Sequence, residues 1–274
     1  MLEKAMNHYV VLSVNSHPDY RFLAPLTAIL WLERTVYKPL IFSSKPCQSL
    51  RMLNEAGAIT LLEQEMPNDR LYVKLLRWYA WSSVLPEDAL MPSDVDLWPI
   101  DGSWYQRPIQ KPVTLFYSNA FQYKRHTTCH VRATAETWRA IVCPDASHPP
   151  SAKEKLKSLH SLYAEDDERR HSDDAAMSEV LMKWPGYPNG CEMVERTGGG
   201  PPNRRIDRSN WPDRFNIDCM IHSDLLGNMI DAHLPRDCGD RRVWTKVLPL
   251  FDALAPKWSG FARVHRQLWE RELG

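Results

Sequence analysis

Over the first hundred positions, apolar residues arrive in short blocks separated by polar turns, and the blocks alternate in period. Tyr9-Val10-Val11-Leu12-Ser13-Val14 is a compact apolar run closed by the polar turn Asn15-Ser16-His17-Pro18-Asp19. A run of this length bounded by turn residues predicts a buried strand. Apolar positions then recur at helical spacing from Leu23 to Thr35. Lys38-Pro39-Leu40-Ile41-Phe42 predicts a second strand, and Ser49 to Ala56 a second helix closed by Gly57. Ala58 to Leu62 predicts a third strand, and Asp69 to Ser83 a third helix with Leu71, Leu75, Trp78 and Tyr79 on one side. A fourth strand is expected at Asp88 to Met91. Strand–helix units joined by short connections predict an α/β fold with a mainly parallel central sheet covered on both faces.

Beyond Ile100 the rhythm changes. Val113 to Tyr117 predicts another strand, and Thr134 to Val142 a helix with Trp138 on its apolar side. Cys143 to Pro150 is expected to be a loop, and Ala152 to Arg170 a charged, solvent-facing helix. Asp173 to Trp184 is amphipathic: Ala176, Val180 and Trp184 share a face, with Met177 and Leu181 beside them. Five of the eleven glycines lie between Gly186 and Gly200, with Pro185, Pro188, Pro201 and Pro202. That composition predicts a long irregular loop over 185–204, of the kind that serves as a flexible lid. Order resumes at Asn228 to His233, and Trp244 to Leu254 and Trp258 to Leu273 read as closing helices. No internal repeat is present.

Composition narrows the function classes. The 34 basic and 34 acidic residues cancel, so the basic face of a nucleic-acid binder is not expected. No apolar run is long enough to predict a transmembrane segment. The N-terminus lacks a signal-peptide layout. The six cysteines are scattered without a C-x-x-C pair, which fits thiols in a reducing compartment. A cytoplasmic protein is the expectation.

The candidate chemistry begins at Asp94-Val95-Asp96, directly after the apolar and proline-bearing stretch Val84 to Pro92. Two carboxylates held close repel unless a proton or cation intervenes. A hard divalent ion resolves the conflict and keeps sites free for phosphate oxygens, so the step reads as a metal clamp on a nucleotide diphosphate. The plainer alternative is a solvated turn with two exposed acids. In doubly wound sheets, ligands settle beyond the carboxyl ends of strands. Asn15-Ser16 and the acidic step both occupy such ends and are expected to line one crevice.

Other residues carry two readings each. Asp173-Asp174 follows Ser172 at a helix start, where acids cap and complement the dipole; either could also serve as a general base for an acceptor hydroxyl. His233, in Asp231-Ala232-His233-Leu234-Pro235-Arg236, is either a core histidine or a third metal ligand. His126-Thr127-Thr128-Cys129-His130 holds zinc-compatible atoms without the spacing of a zinc module, and His130 fits an acceptor-side hydrogen-bonding role better. Gly198-Gly199-Gly200 lacks the preceding strand and trailing Lys-Ser/Thr of a phosphate loop. Trp98 and Trp211 are candidates to stack on a sugar ring.

The order of these pieces resembles the nucleotide-sugar-dependent glycosyltransferases of the GT-A fold, and most of all the small glycosyltransferase domains of large algal DNA viruses. The resemblance runs through Val10 to Tyr20, Lys38 to Phe42, Lys74 to Arg77, Asp94 to Ile100, Cys129 to Trp138, Asp173 to Leu181, Arg205 to Arg208 and Asp231 to Arg236. It implies one GT-A-like domain over 1–274, with a nucleotide-sugar-binding half (1–142) and an acceptor-binding half (143–274). It further implies that Asp96 and Asp94 hold Mn²⁺ (or Mg²⁺) on the donor diphosphate, with His233 as a late ligand. Asn15 and Tyr20 would contact the nucleotide, with Gln64, Lys74 and Arg77 as further candidates. Asp173 would be the base, with Asp174 second. The implied reaction moves a sugar from a nucleoside-diphosphate donor, expected to be a UDP-sugar, to a hydroxyl of a glycan or other acceptor, with inversion. A metal-dependent nucleotidyltransferase is one alternative, although Asn15-Ser16-His17-Pro18 is not a glycine-rich phosphate loop. A non-catalytic carbohydrate-binding module on the same fold is another.

Overall fold

The computed structural model describes residues 6–67, 69–116, 118–119, 125–126, 129–144, 152–163, 172–194, 204–208, 221 and 225–273. The apolar blocks become β1 (His8–Val14), β2 (Lys38–Ser43), β3 (Thr60–Glu63), β4 (Ala89–Pro92), β5 (Leu97–Pro99) and β6 (Val113–Leu115). Shorter strands follow: β7 (Ser118–Asn119), β8 (Arg125–His126), β9 (Val131–Thr134), β10 (Cys191–Met193), β11 (Arg205–Ile206) and β12 (Asp231–His233). The α-helices among the described residues are α1 (Pro18–Arg34), α2 (Gln48–Glu55), α3 (Arg70–Leu76), α4 (Gly102–Tyr105), α5 (Ala135–Val142), α6 (Ala152–Tyr163), α7 (Ser172–Lys183), α8 (Arg241–Leu254) and α9 (Ser259–Leu273). Among the described residues, no helix is long and apolar enough to cross a membrane.

The central sheet has seven strands in the order β10-β6-β9-β4-β1-β2-β3. β1 runs parallel to β4, β2 to β3 and β10 to β6, whereas β9 is antiparallel to both β4 and β6. This is the mainly parallel α/β architecture expected, with one reversed strand that the pattern did not announce. A second sheet, β11-β12-β5, and a β7-β8 ribbon complete the strands among the described residues.

The chain divides into two compact units whose segments alternate along the sequence. The first comprises Met1–Ser13, Met66–Ser93 and Pro108–Gly198. Here the buried Asp88 fixes the entry to β4, accepting hydrogen bonds from Asn7 N, Asn7 Nδ2 and Leu85 N at 3.1, 3.0 and 3.1 Å. Thr134 caps α5 by accepting from Thr137 N at 3.2 Å, and the buried Trp138 donates Nε1 to Leu90 O. The range read as an irregular loop contains β10, whose three residues pair with β6. Glycine and proline around Cys191–Met193 hid so short a strand. Residues 195–203, including the glycine triplet, lie outside the described residues, as does Trp211.

The second unit comprises Val14–Glu65, Asp94–Arg107 and Gly199–Gly274. Its α1 begins at Pro18, earlier than the spacing suggested, because His17 caps it and Pro18 supplies a preset φ at the first turn. Residues Arg21 to Trp31 of that helix are all buried, as expected of a core helix apolar on every side. Gly57, at φ 71°, closes α2 in the left-handed region. Trp98 is fully buried and donates Nε1 to Thr27 Oγ1 at 3.0 Å, so it is a core residue and not a sugar platform.

His265 of α9 sits in this core. It stacks on Phe22 at 4.9 Å, with Nε2 2.8 Å from Phe22 O and Nδ1 2.8 Å from Ser49 Oγ. A carbonyl only accepts, so Nε2 carries the proton and Nδ1 accepts from the serine hydroxyl. Burial lowers the pKa from 6.5 to about 4. Between those values the unfolded chain takes up a proton that the folded chain refuses, so stability falls as pH drops through the window. The full loss from this one group is about 3 kcal/mol. Urea denaturation from neutral pH down to about pH 4 is expected to show this decline, and His265→Gln to flatten it.

Candidate functional site

Pairing of short strands, rather than proximity in sequence, assembles the acidic step with its partners. β12 runs antiparallel to β5 in the register Asp231↔Pro99, Ala232↔Trp98 and His233↔Leu97. Leu234 N donates to Asp96 O at 2.8 Å, which continues the ladder and sets His233 beside Asp96. β11 runs parallel to β12 in the register Arg205↔Asp231 and Ile206↔Ala232. That pairing delivers Asp207 and Arg208 to the same end.

The geometry there is close. Asp96 is buried and Asp94 half-buried, with Leu97 N donating to Asp94 O at 3.2 Å across the turn. Asp96 Oδ2 lies 3.7 Å from His233 Nε2, and His233 Nδ1 lies 3.8 Å from Asp207 Oδ2. Arg208 Nη2 donates to Asp96 Oδ2 at 2.6 Å and also contacts His233 Nε2. Burial pushes the His233 imidazole below the usual histidine range; the Arg208 and Arg205 guanidinium groups reinforce this against Asp96 and Asp94. A neutral imidazole offers a lone pair, which is the form that binds metal.

These residues fit a divalent cation on one observation. A carboxylate oxygen and an imidazole nitrogen converge on a single cationic nitrogen, Arg208 Nη2, which stands where an ion would. An ion bound at about 2.0–2.2 Å from each donor spans about 3–4 Å between them, and the 3.7 Å separation falls in that range. Asp94 acts on His233 electrostatically from nearby. Among the described residues, no group of three or more His, Cys, Asp or Glu side chains is arranged to hold a metal. The fit therefore rests on the Asp96–His233 pair.

Beneath this end of β12, the fully buried Asp231 receives Arg205 Nε and Nη2 on its two oxygens at 2.6 Å each. The Tyr105 hydroxyl donates to it at 3.2 Å. Such a two-pronged pair is rigid, so Arg205 anchors the strand that carries His233.

The remaining candidates are dispersed. Asn15, buried at the end of β1, accepts His17 N on Oδ1 at 3.0 Å. Tyr20 lies in the first turn of α1, its ring 5.2 Å from that of His17. Gln64 is exposed just past β3, its N donating to Ser43 O at 3.1 Å. In the first unit, Lys74 Nζ pairs with Asp173 Oδ2 at 2.8 Å, and Asp173 is buried while Asp174 is half-buried. Arg77 is buried, with Nε donating to Lys74 O at 3.1 Å. His130 is buried at φ 61° with Nε2 3.0 Å from Ser93 Oγ, so it packs in the interior of its unit. His126 Nε2 lies 3.2 Å from the Tyr187 hydroxyl. Reasoning from sequence missed Arg208. The Arg205-Ile206-Asp207-Arg208 run was visible, but nothing in it says which carboxylate the arginine meets.

No protein-family model matches the chain, and no curated protein matches it. Among solved structures it is similar to the glycosyltransferase GlyE of Streptococcus pneumoniae TIGR4, at 11% identity and a TM-score of 0.51, covering 95% of this chain and 64% of GlyE. The apo form of GlyE gives the same identity and TM-score, covering 94% of this chain and 64% of GlyE. The galactosyltransferase LgtC, solved with donor and acceptor sugar analogues, is matched at 12% identity and a TM-score of 0.48, covering 92% of this chain and 99% of LgtC. The chain thus spans 64% of the length of GlyE and shares its fold.

Proposed function

We propose that this chain is a metal-dependent glycosyltransferase using a nucleoside-diphosphate sugar, with a UDP-sugar as donor and a glycan or other hydroxyl as acceptor. One observation carries the reading: Asp96 and His233 aim at one cationic point beside the acidic step, on a fold shared with a glycosyltransferase. Asp96 and His233 would hold Mn²⁺ or Mg²⁺, with Asp94 adding charge beside them. When bound, that ion would offset the negative charge growing on the departing diphosphate.

The chain's own residues supply the rest. Asn15 and Tyr20, at the N-terminal end of α1, are proposed to meet the nucleotide, where the helix dipole favours an anion. Gln64 is a further proposed nucleotide contact, exposed beyond β3. Asp173 is the proposed base, with Asp174 as the second candidate. Its position in the first turn of α7 favours a carboxylate, and Lys74 holds its direction. To take a proton from the acceptor hydroxyl, Asp173 must part from the Lys74 ammonium. Direct displacement assisted by such a base inverts the anomeric carbon.

A thermal-shift and hydrolysis screen of UDP- and GDP-sugars, with and without Mn²⁺, tests the proposal. A cognate donor at a hundredfold excess over its Kd is expected to raise Tm by about 5 °C or more, only with Mn²⁺ present. Slow donor hydrolysis should accompany the shift. Sugar binding indifferent to Mn²⁺ would instead indicate a carbohydrate-binding module. Failure of every donor to bind or hydrolyse with Mn²⁺ would overturn the proposal.

A further inference from the structure

We infer that Arg208 is an exchangeable placeholder for the divalent ion: its guanidinium and the metal compete for Asp96 Oδ2 and His233 Nε2, and the ion enters by displacing it. The inference rests on the proposed metal site and adds a residue that controls its loading.

Guanidinium nitrogens only donate, so both Asp96 Oδ2 and His233 Nε2 present lone pairs to Arg208 Nη2. A metal ion would use the same two lone pairs. Two cations cannot share them, because each would face the other's charge at contact distance in a half-buried setting.

The neighbouring arginine shows that Arg208 is the movable one. Arg205 engages both oxygens of Asp231 through two nitrogens at 2.6 Å each. Arg208 reaches Asp96 through Nη2 alone, and its buried Nε finds no acceptor among the described residues. A guanidinium held by one prong, with a second donor unmet, surrenders its site more readily than one held by a fork. Arg208 thus keeps the Asp96 carboxylate neutralised until an ion arrives. Displacement then frees a positive side chain beside the ion, available to an anionic ligand.

Manganese binding measures this directly, since bound Mn²⁺ loses the six-line electron paramagnetic resonance signal of the free ion. The intact chain, Arg208→Gln, Arg208→Lys, Asp96→Asn and the Arg208→Gln/Asp96→Asn pair would be titrated with Mn²⁺ alone, with circular dichroism confirming the fold of each. Arg208→Gln is expected to bind Mn²⁺ about tenfold or more tightly than the intact chain, as removal of a competitor requires. Arg208→Lys, which keeps a charge on a shorter stem, should fall between them. Asp96→Asn should abolish binding in either background. Asp96-dependent binding that is equal or weaker in Arg208→Gln overturns the placeholder role and leaves the metal site standing. Folded proteins that bind no Mn²⁺ at millimolar concentration, with or without Arg208, overturn both. Should Arg208→Gln not fold, Arg208→Lys decides the matter: unchanged affinity overturns the inference.

Discussion

Asp96→Asn is expected to abolish Mn²⁺-dependent donor binding and to lower sugar transfer by about 10²–10³-fold, roughly 3–4 kcal/mol of transition-state stabilisation. The substitution is nearly isosteric at a buried position, so the side chain keeps its volume and loses only its charge. Of the carboxylates left, Asp94 is half-buried and Asp207 lies 3.8 Å from His233 Nδ1 rather than at Nε2, and an amide oxygen is a weaker ligand than a carboxylate for a hard cation. kcat/KM with a cognate donor, calorimetric Mn²⁺ titration and a thermal melt on the same preparation separate lost chemistry from lost fold. A folded Asp96→Asn protein that transfers sugar at the unaltered rate would remove the acidic step from the mechanism.

The largest stability effect is expected at Asp231. Replacing it with Ala removes the two charged hydrogen bonds that it accepts from Arg205 and the one from the Tyr105 hydroxyl. Breaking a buried pair by removing one partner costs about 3–5 kcal/mol, because the remaining charge stays desolvated. For a domain of this size the melting temperature should fall on the order of 10 °C. Removing both charges with Asp231→Ala and Arg205→Met should recover part of that loss, and the double-mutant cycle in urea gives the coupling. A loss under about 1 kcal/mol for Asp231→Ala would mean that the pair is solvated in solution and does not hold β12 in place.

Much of the α/β core was legible because its strands are local apolar blocks. Val10 to Leu12, Leu40 to Phe42 and Leu90 to Met91 are all buried, and each lies in a stretch whose neighbours announce a turn. Pro18-Asp19-Tyr20 misled, since a proline after a polar pair suits a turn and a helix start equally; the cap on His17 decides it. β5, β11 and β12 were illegible because strands of two or three residues have no periodicity of their own. They exist only through pairing across long sequence separations. The site divides along the same line. The acidic step was visible because two close carboxylates are chemically expensive wherever they occur. His233 carried two readings until the β5–β12 register set it against Asp96. Arg208 depended on the β11–β12 register as well, and no pattern in the chain encodes that. The Lys74–Asp173 pair likewise joins two helices that the sequence does not show to be neighbours.

The antiparallel seam between β5 and β12 has a consequence for biogenesis. A ribosome delivers the acidic step long before it delivers His233, so a half-synthesised polypeptide exposes Asp94 and Asp96 without their imidazole. The proposed centre therefore matures late, once the distal segment docks. Nascent fragments released early would carry the acids but none of the proposed chemistry.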